Sequence, residues 1–380
     1  MENRKYAIFS EKLESREKNV QQKIQHIVDE TVSYIARSNQ IADARYYTRD
    51  AHAKGFALVK AKFEIPHNLP DYLAQGLYKQ TGVYDAVIRF SSGSPQVRDD
   101  ARNGFAMGMG MKVFGVKGEV MAEGEEDCGN IDYNLINCPV FFSNSVNSYQ
   151  HILKIFTSVS EYFKPEGKGK YRFMFDWLTA YGKKFPTVDA FRELSAFMRF
   201  AKLPAQNSLT QTYFSIHVLR HGNYYGKIRV IPTAQTLQAI PKDVQEFAYG
   251  KDTFRQLIVD NLQKTDATYL VQIQLAEIGN PNPIERVTEE WTEDKYPFHT
   301  IGWLTIPQQD ISDGQNKIVS EHISITPWRC LEENRPMGSL QWCRKAVYSA
   351  ASRKRHELNQ TKRAEPKNST EALDSTFYAI

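Results

Sequence analysis

Between residues 11 and 38 the apolar positions fall at Leu13, Val20, Ile24, Ile27, Val28, Val32 and Ile35. Steps of three, four and seven predict an amphipathic helix, an arm with one face to bury against the rest of the chain or another subunit. The period then changes. From 55 to 65, Val59, Ala61, Phe63 and Ile65 alternate with Lys60, Lys62 and Glu64, the two-residue repeat of a half-buried strand. Seven more segments read as strands, near 83–91, 109–116, 131–137, 211–220, 224–231, 268–276 and 299–306. His221-Gly222-Asn223 predicts a hairpin turn between the fifth and sixth. Helical spacing returns at 145–157, 171–181, 187–200, 241–263 and 339–360. The acidic, Gly-rich stretch 117–130 and the stretch 279–298, with Pro281, Pro283 and Pro297, read as loops. No internal repeat is visible.

Eight strands in mostly antiparallel order suit a closed barrel, which with the helices makes an α+β chain. The expected division is an N-terminal helical arm over 1–45, one domain over 46–360, and a polar tail over 361–380 that the composition predicts to be disordered.

Composition narrows the function classes. The 48 Lys and Arg against 44 Asp and Glu leave a net charge of +4, too small to argue for nucleic acid. No apolar run approaches the roughly 18–20 residues of a membrane helix, and Met1-Glu2-Asn3-Arg4-Lys5 leads into a polar helix, not a signal-peptide core. Cys128, Cys138, Cys330 and Cys343 lack Cys-x-x-Cys spacing, so reduced thiols and a cytoplasmic location are expected. His67, His151, His217, His221, His299 and His322 show no metal spacing, and no nucleotide-binding glycine motif sits between a strand and a helix.

The chemistry concentrates in two places. In the predicted helix 339–360, Arg344 precedes Tyr348 by four residues, one turn, which brings them onto one face. A cation there favours a phenolate, and tyrosinate is one of the few protein ligands of haem iron. Far upstream stand Arg49-Asp50-Ala51-His52-Ala53-Lys54-Gly55, then Val87-Ile88-Arg89-Phe90-Ser91, then Asn137-Cys138-Pro139-Val140-Phe141-Phe142. On one strand Arg89 and Ser91 point to the same face.

These motifs, in this order and with Arg344-x-x-x-Tyr348, resemble the haem catalase superfamily. His322-Ile323-Ser324-Ile325-Thr326-Pro327-Trp328 and Arg335-Pro336-Met337-Gly338 look like its small catalase-like members. The resemblance implies an eight-stranded antiparallel barrel and haem b with Tyr348 as iron ligand supported by Arg344. It also implies a distal His52 as acid–base group, Ser91 supporting it and Asn137 hydrogen-bonding the peroxide. Arg49, Arg89 and Arg355 are then expected at the propionates, with Arg353 the rival of Arg355. Phe141 and Phe142 are expected to pack on the haem plane or in the core, and Tyr149 on a channel wall. Two departures bear on the reaction. Gly93 stands where catalases carry a larger aliphatic residue, which predicts room for a bulky substrate. Ala51 replaces the threonine found before the histidine in allene-oxide-forming relatives, which argues against that rearrangement.

Three functions follow. The leading one is a peroxidase or hydroperoxide-transforming enzyme acting on organic, including fatty-acid, hydroperoxides. The others are a minimal catalase dismutating hydrogen peroxide and a non-enzymatic haem-binding or sensing protein. A homo-oligomer is compatible with all three.

Overall fold

The alternating apolar positions of the strands turn into a barrel core. The protein was analysed as a computed structural model that describes residues 5–14, 17–41, 44–100, 106–158, 160–163, 167–242, 250–279 and 284–379. Its strands are β1 (Gly55–Ile65), β2 (Gly82–Ser92), β3 (Met107–Val113), β4 (Ile131–Ile136), β5 (Tyr213–Ser215), β6 (Leu219–His221), β7 (Tyr224–Pro232), β8 (Ala267–Leu275) and β9 (Phe298–Ile306). The order β5-β4-β3-β2-β1-β9-β8-β7, closed by a β5–β7 pairing, makes an eight-stranded antiparallel ring, and β6 hangs on β7 as a hairpin partner. The single strand expected over 211–220 is therefore two. β5 is held by β4 and β7 on either side, and the chain then leaves the wall at residues 216–218 before β6 forms.

The two faces of the wall follow the two-residue repeat. Val59, Ala61 and Phe63 of β1, Ile88 and Phe90 of β2, and Met109 and Met111 of β3 point inward and share one buried cluster. Truncating one of those aromatic residues to alanine costs about 3–5 kcal/mol. The methionines are strand packing. The outward face of the same strands carries Arg89 and Ser91, Gly108 and Gly110, and Asp132 and Asn134, aligned by the pairings Ser91↔Gly108↔Ile136 and Arg89↔Gly110↔Asn134.

The longer helices are α1 (Val20–Ile35), α2 (Val146–Thr157), α3 (Gly169–Thr179), α4 (Val188–Ala201), α5 (Thr253–Leu262), α6 (Gly314–His322) and α7 (Ser339–Asn359). The N-terminal arm buries Ile24 and Ile27 against Leu340, Cys343 and Val347 of α7 and Val146 and Leu153 of α2. Helix α6 was not expected, because Gly314-Gln-Asn-Lys-Ile-Val-Ser-Glu-His has only two adjacent large apolar residues and no stripe. An N-cap starts it: Asn316 N–H donates to the Asp313 carboxylate at 2.9 Å. Of the helix expected over 241–263, residues 243–249 lie outside the described residues, and the described part is α5. In the expected loop 279–298, Pro281 and Pro283 also lie outside them.

The polar tail is a correction. Residues 361–379 are folded, with short helices at Ser369–Ala372 and Ser375–Tyr378. Ala372 and Tyr378 are buried beside Leu58, Val87 and Phe114 on the outer wall. The charges that made the segment look solvated are spent inside. Glu365 pairs with Lys112 at 2.6 Å and with Arg329 at 2.7 Å. Lys112 also pairs with Asp132 at 2.9 Å, Arg329 bonds Asp132, and Arg329 and Arg363 share Glu125. Burial opposes the charge of Arg329, but the carboxylates around it prevail and hold its pKa above the ordinary value.

Candidate functional site

Glycines make the floor of the site. A Cβ at Gly108 would lie 2.5 Å from Cε1 and Nδ1 of His52 and 3.0 Å from Ser91 Oγ, and one at Gly110 would lie 2.8 Å from Ile325. The imidazole of His52 thus rests on bare backbone of β3. His52 itself has φ of 55°, a left-handed conformation that histidine tolerates better than most residues. Its Nδ1 lies 3.1 Å from Ser91 Oγ. With Nδ1–H donating to that hydroxyl, Nε2 keeps its lone pair. Burial lowers the pKa of His52 to about 4, with Arg89 and Arg49 adding to the shift. The ring is neutral at pH 7 and can accept a proton.

Asn137 ends β4 beside this floor. Its side-chain oxygen accepts from Met107 N–H at 2.8 Å, and its amide nitrogen lies 3.4 Å from Gln211 Oε1. Tyr149 on α2 spans toward the other wall. It packs against the cluster of Leu340, Cys343 and Val347 on α7, and burial raises its pKa, with Asp50, Cys343 and Tyr348 adding to the shift.

On α7 the one-turn geometry is realised. Arg344 Nη2 donates to Tyr348 Oη at 2.9 Å, and the guanidinium carbon lies 5.0 Å from the tyrosine ring centre. A cleft between β4 and α7 is lined by Asn134, Ile216, His217, Gln341 and Arg344. His217 was set aside from the sequence for want of metal spacing. It is buried, 3% exposed, and neither ring nitrogen has a hydrogen-bond partner. Burial first, then Arg344 and Lys227, hold its pKa well below the ordinary value.

Three arginines converge on one residue, two on its carboxylate and one on its backbone carbonyl. Arg49 Nη1 lies 3.0 Å and Arg89 Nη2 3.2 Å from the Glu321 carboxylate, and Arg355 Nη1 donates to the Glu321 carbonyl at 2.5 Å. Arg353 is exposed, so of the two candidates on α7 it is Arg355 that joins this group. Burial, against the pull of Glu321, lowers Arg355 to about 10. Glu321 gave no sequence signal, because it sits on the helix with no apolar stripe. Contacts run in a chain from Tyr348 along about 10 Å of α7 to Arg355. They continue through Glu321 to Arg89, whose Nη2 also donates to the His52 carbonyl at 3.2 Å.

Phe141 lies 5.8 Å from His217 and 6.5 Å from Tyr149, on the site's edge. Phe142 packs instead with Phe156, Trp177, Phe197 and Phe200 of the helical layer. Gly93 departs from expectation. Its N–H donates to the Ala106 carbonyl at 2.7 Å, and an added Cβ would meet that oxygen at 3.0 Å. The glycine allows a close backbone crossing and does not open a channel. Met107–Val113 forms the strand expected near 109–116, starting two residues earlier.

The barrel and its surrounding helices superpose on solved catalases. The chain aligns with a fungal catalase at TM-score 0.63 and 16% identity, covering 90% of this chain and 64% of that one. With catalase A from Saccharomyces cerevisiae the values are 0.63, 17%, 88% and 66%, and with a bacterial catalase 0.59, 16%, 89% and 62%. The chain has the catalase fold. It spans slightly under two thirds of the length of those catalases, and at such identities the likeness establishes architecture. No protein-family model and no curated protein matches it. Among the described residues no helix is long and apolar enough to cross a membrane, and no cluster of His, Cys, Asp and Glu suits a metal ion.

Proposed function

We propose that this catalase-fold chain binds haem b between the outer wall of the barrel and α7 and turns over hydroperoxides, R–O–O–H with R alkyl or hydrogen. The observation that carries the reading is the 2.9 Å bond from Arg344 to the hydroxyl of Tyr348, a phenol with its cation already in place. The residues present fit the group. Arg49, Arg89 and Arg355 around Glu321 leave two surplus positive charges, the number that two propionates neutralise, and arginine's fork suits a carboxylate. The glycine at 108 gives the His52 ring its seat on β3.

Tyr348 would ligate the iron, with Arg344 stabilising the phenolate and His217 close to that arginine. When bound, the haem would supply Lewis-acid and redox chemistry. His52 would do the proton work. Its neutral Nε2 would take the proton of R–O–O–H and deliver it to the oxygen that carries R, which leaves as ROH, and a second hydroperoxide or an electron donor would supply the two electrons that close the cycle. Ser91 holds the ring in the required tautomer. Asn137 would donate one neutral hydrogen bond to the substrate.

The expected preference for organic or fatty-acid hydroperoxides rested on Gly93 and loses that ground. The minimal catalase is thus the reading to be separated by kinetics. Comparing kcat/KM for hydrogen peroxide and a fatty-acid hydroperoxide, with product analysis, separates them. A haem-storage or sensing protein has no need of a buried neutral histidine held by a serine. The cofactor test is titration of haem into the parent and Tyr348→Phe. The variant loses or greatly weakens binding and changes the ferric spectrum, whereas identical spectra and haem content would overturn the ligand assignment. His52→Ala keeps the haem and loses on the order of 10²–10⁴ in turnover.

A further inference from the structure

Helices α3 and α4, inserted between β4 and β5, carry a second apolar face that stays exposed among the described residues. On α3 the inner face buries Phe173, Asp176 and Trp177, while Tyr171, Met174 and Phe175, at helical spacing of three and four, point outward. On α4, Leu194 and Ala196 are buried, and Val188 and Phe191 are exposed. Phe185, in the turn between the helices, is 93% exposed and Tyr171 78%. Scattered exposed apolar residues need no explanation, but a concentration of large ones on adjacent elements marks an interaction surface.

Charge identifies the partner. Residues 160–203 contain nine Lys and Arg and five Asp and Glu, a net +4 that equals the charge of the whole chain. The rest of the protein is therefore neutral. Arg172 pairs with Asp176, and Arg192 and Arg199 pair with Glu289 and Glu290, so the charge left over on this face is that of its lysines. Among the described residues Lys170, Lys183 and Lys184 are exposed and form no ion pair, and the Lys170 ammonium lies 5.2 Å from the ring centre of Tyr171. Aromatic and aliphatic side chains ringed by cations are the composition of a helix pair that lies in a membrane interface. A second copy of the same face would bring like charge against like charge.

We propose that the α3–α4 face docks on an anionic lipid bilayer, with Phe175, Phe185 and Phe191 entering the acyl boundary and Lys170, Lys183 and Lys184 meeting the headgroups. The docking does not rest on the haem assignment. The test is co-sedimentation of the full chain with phosphatidylcholine vesicles with and without phosphatidylserine, at about 0.1 M and about 1 M salt. The parent binds the anionic vesicles at low salt and is largely released at high salt. Each interfacial cation is worth roughly fivefold in affinity, so Lys183→Glu with Lys184→Glu lowers binding about 25-fold or more. Phe175→Ser, Phe185→Ser and Phe191→Ser together abolish it, and circular dichroism checks that these exposed substitutions leave the fold intact. The proposal is overturned if anionic vesicles bind no more protein than neutral ones, or if both sets of variants bind as the parent does. It is also overturned if sedimentation shows the parent to be an oligomer that the serine variants dissociate, which would assign the face to a second copy.

Discussion

Gly108→Ala tests the floor of the site with one methyl group. The new Cβ would lie 2.5 Å from two atoms of the His52 ring and 3.0 Å from Ser91 Oγ. Carbon contacts are comfortable at about 3.5–4.0 Å, so the imidazole must retreat by about 1 Å. The 3.1 Å bond to Ser91 then breaks, a loss of about 0.5–1.5 kcal/mol. Overpacking adds about 1–3 kcal/mol, which brings the total destabilisation to about 1.5–4.5 kcal/mol. Displacement of a catalytic group by about 1 Å costs about 10²-fold in rate. Haem affinity should change far less, because Tyr348 and the three arginines are untouched. The assays are urea unfolding of the protein and hydroperoxide turnover per haem bound. Gly314→Ala is the control, since a Cβ there meets nothing within 4 Å. An alanine at 108 that leaves both the unfolding midpoint and the turnover at parental values would refute the reasoning.

Lys112→Met leaves Asp132 and Glu365 short of a buried cation and should cost about 3–5 kcal/mol by urea unfolding. Much of that loss should be recovered when Glu365→Gln is added. Acid is expected to destabilise the protein well above the carboxylate range. Burial lowers His52 and His221 to about 4 and His356 to about 2, against about 6.5 in the unfolded chain. Below about pH 6.5 the unfolded state binds more protons, so stability falls with pH until each folded pKa is passed, by about 1.4 kcal/mol per pH unit per histidine. Unfolding midpoints between pH 7 and 5 check the slope, and His221→Gln should flatten it by one histidine's share. Arg89→Leu removes one of the proposed propionate partners and the bond to the His52 carbonyl, so both haem affinity and turnover should drop, and normal haem retention would count against the arginine cluster.

Much of the architecture was legible because one face of each strand is wet or different in character. β1 alternates lysines with apolar residues, and its limits match expectation to the residue. The Arg344–Tyr348 pair was legible because helical spacing alone brings the two together. What escaped detection depends on tertiary contact. Glu321 gathers three arginines from three distant segments, and nothing local to 314–322 announces it. Gly93 and Gly108 look alike in sequence, yet one meets a backbone carbonyl and the other an imidazole. The tail was misjudged because composition cannot distinguish a charge in water from a charge buried against its opposite.

That buried charge has a consequence for the order in which the protein can be made. Glu365 is 253 residues from Lys112. At about 5–20 residues per second of synthesis, β3 leaves the ribosome about 13–50 s before the carboxylate that neutralises its lysine exists. During that interval Lys112 has Asp132, and Arg329, once made, shares Asp132 but also has Glu125. Two cations then face two carboxylates, so the wall at β3 and β4 can close before the tail exists, and Arg363 and Glu365 arrive together to complete the cluster. What the tail adds last is cover for Leu58, Val87 and Phe114 on the outer wall, and a codon change that slows translation just before residue 365 should prolong the exposure of that apolar patch without altering a single residue.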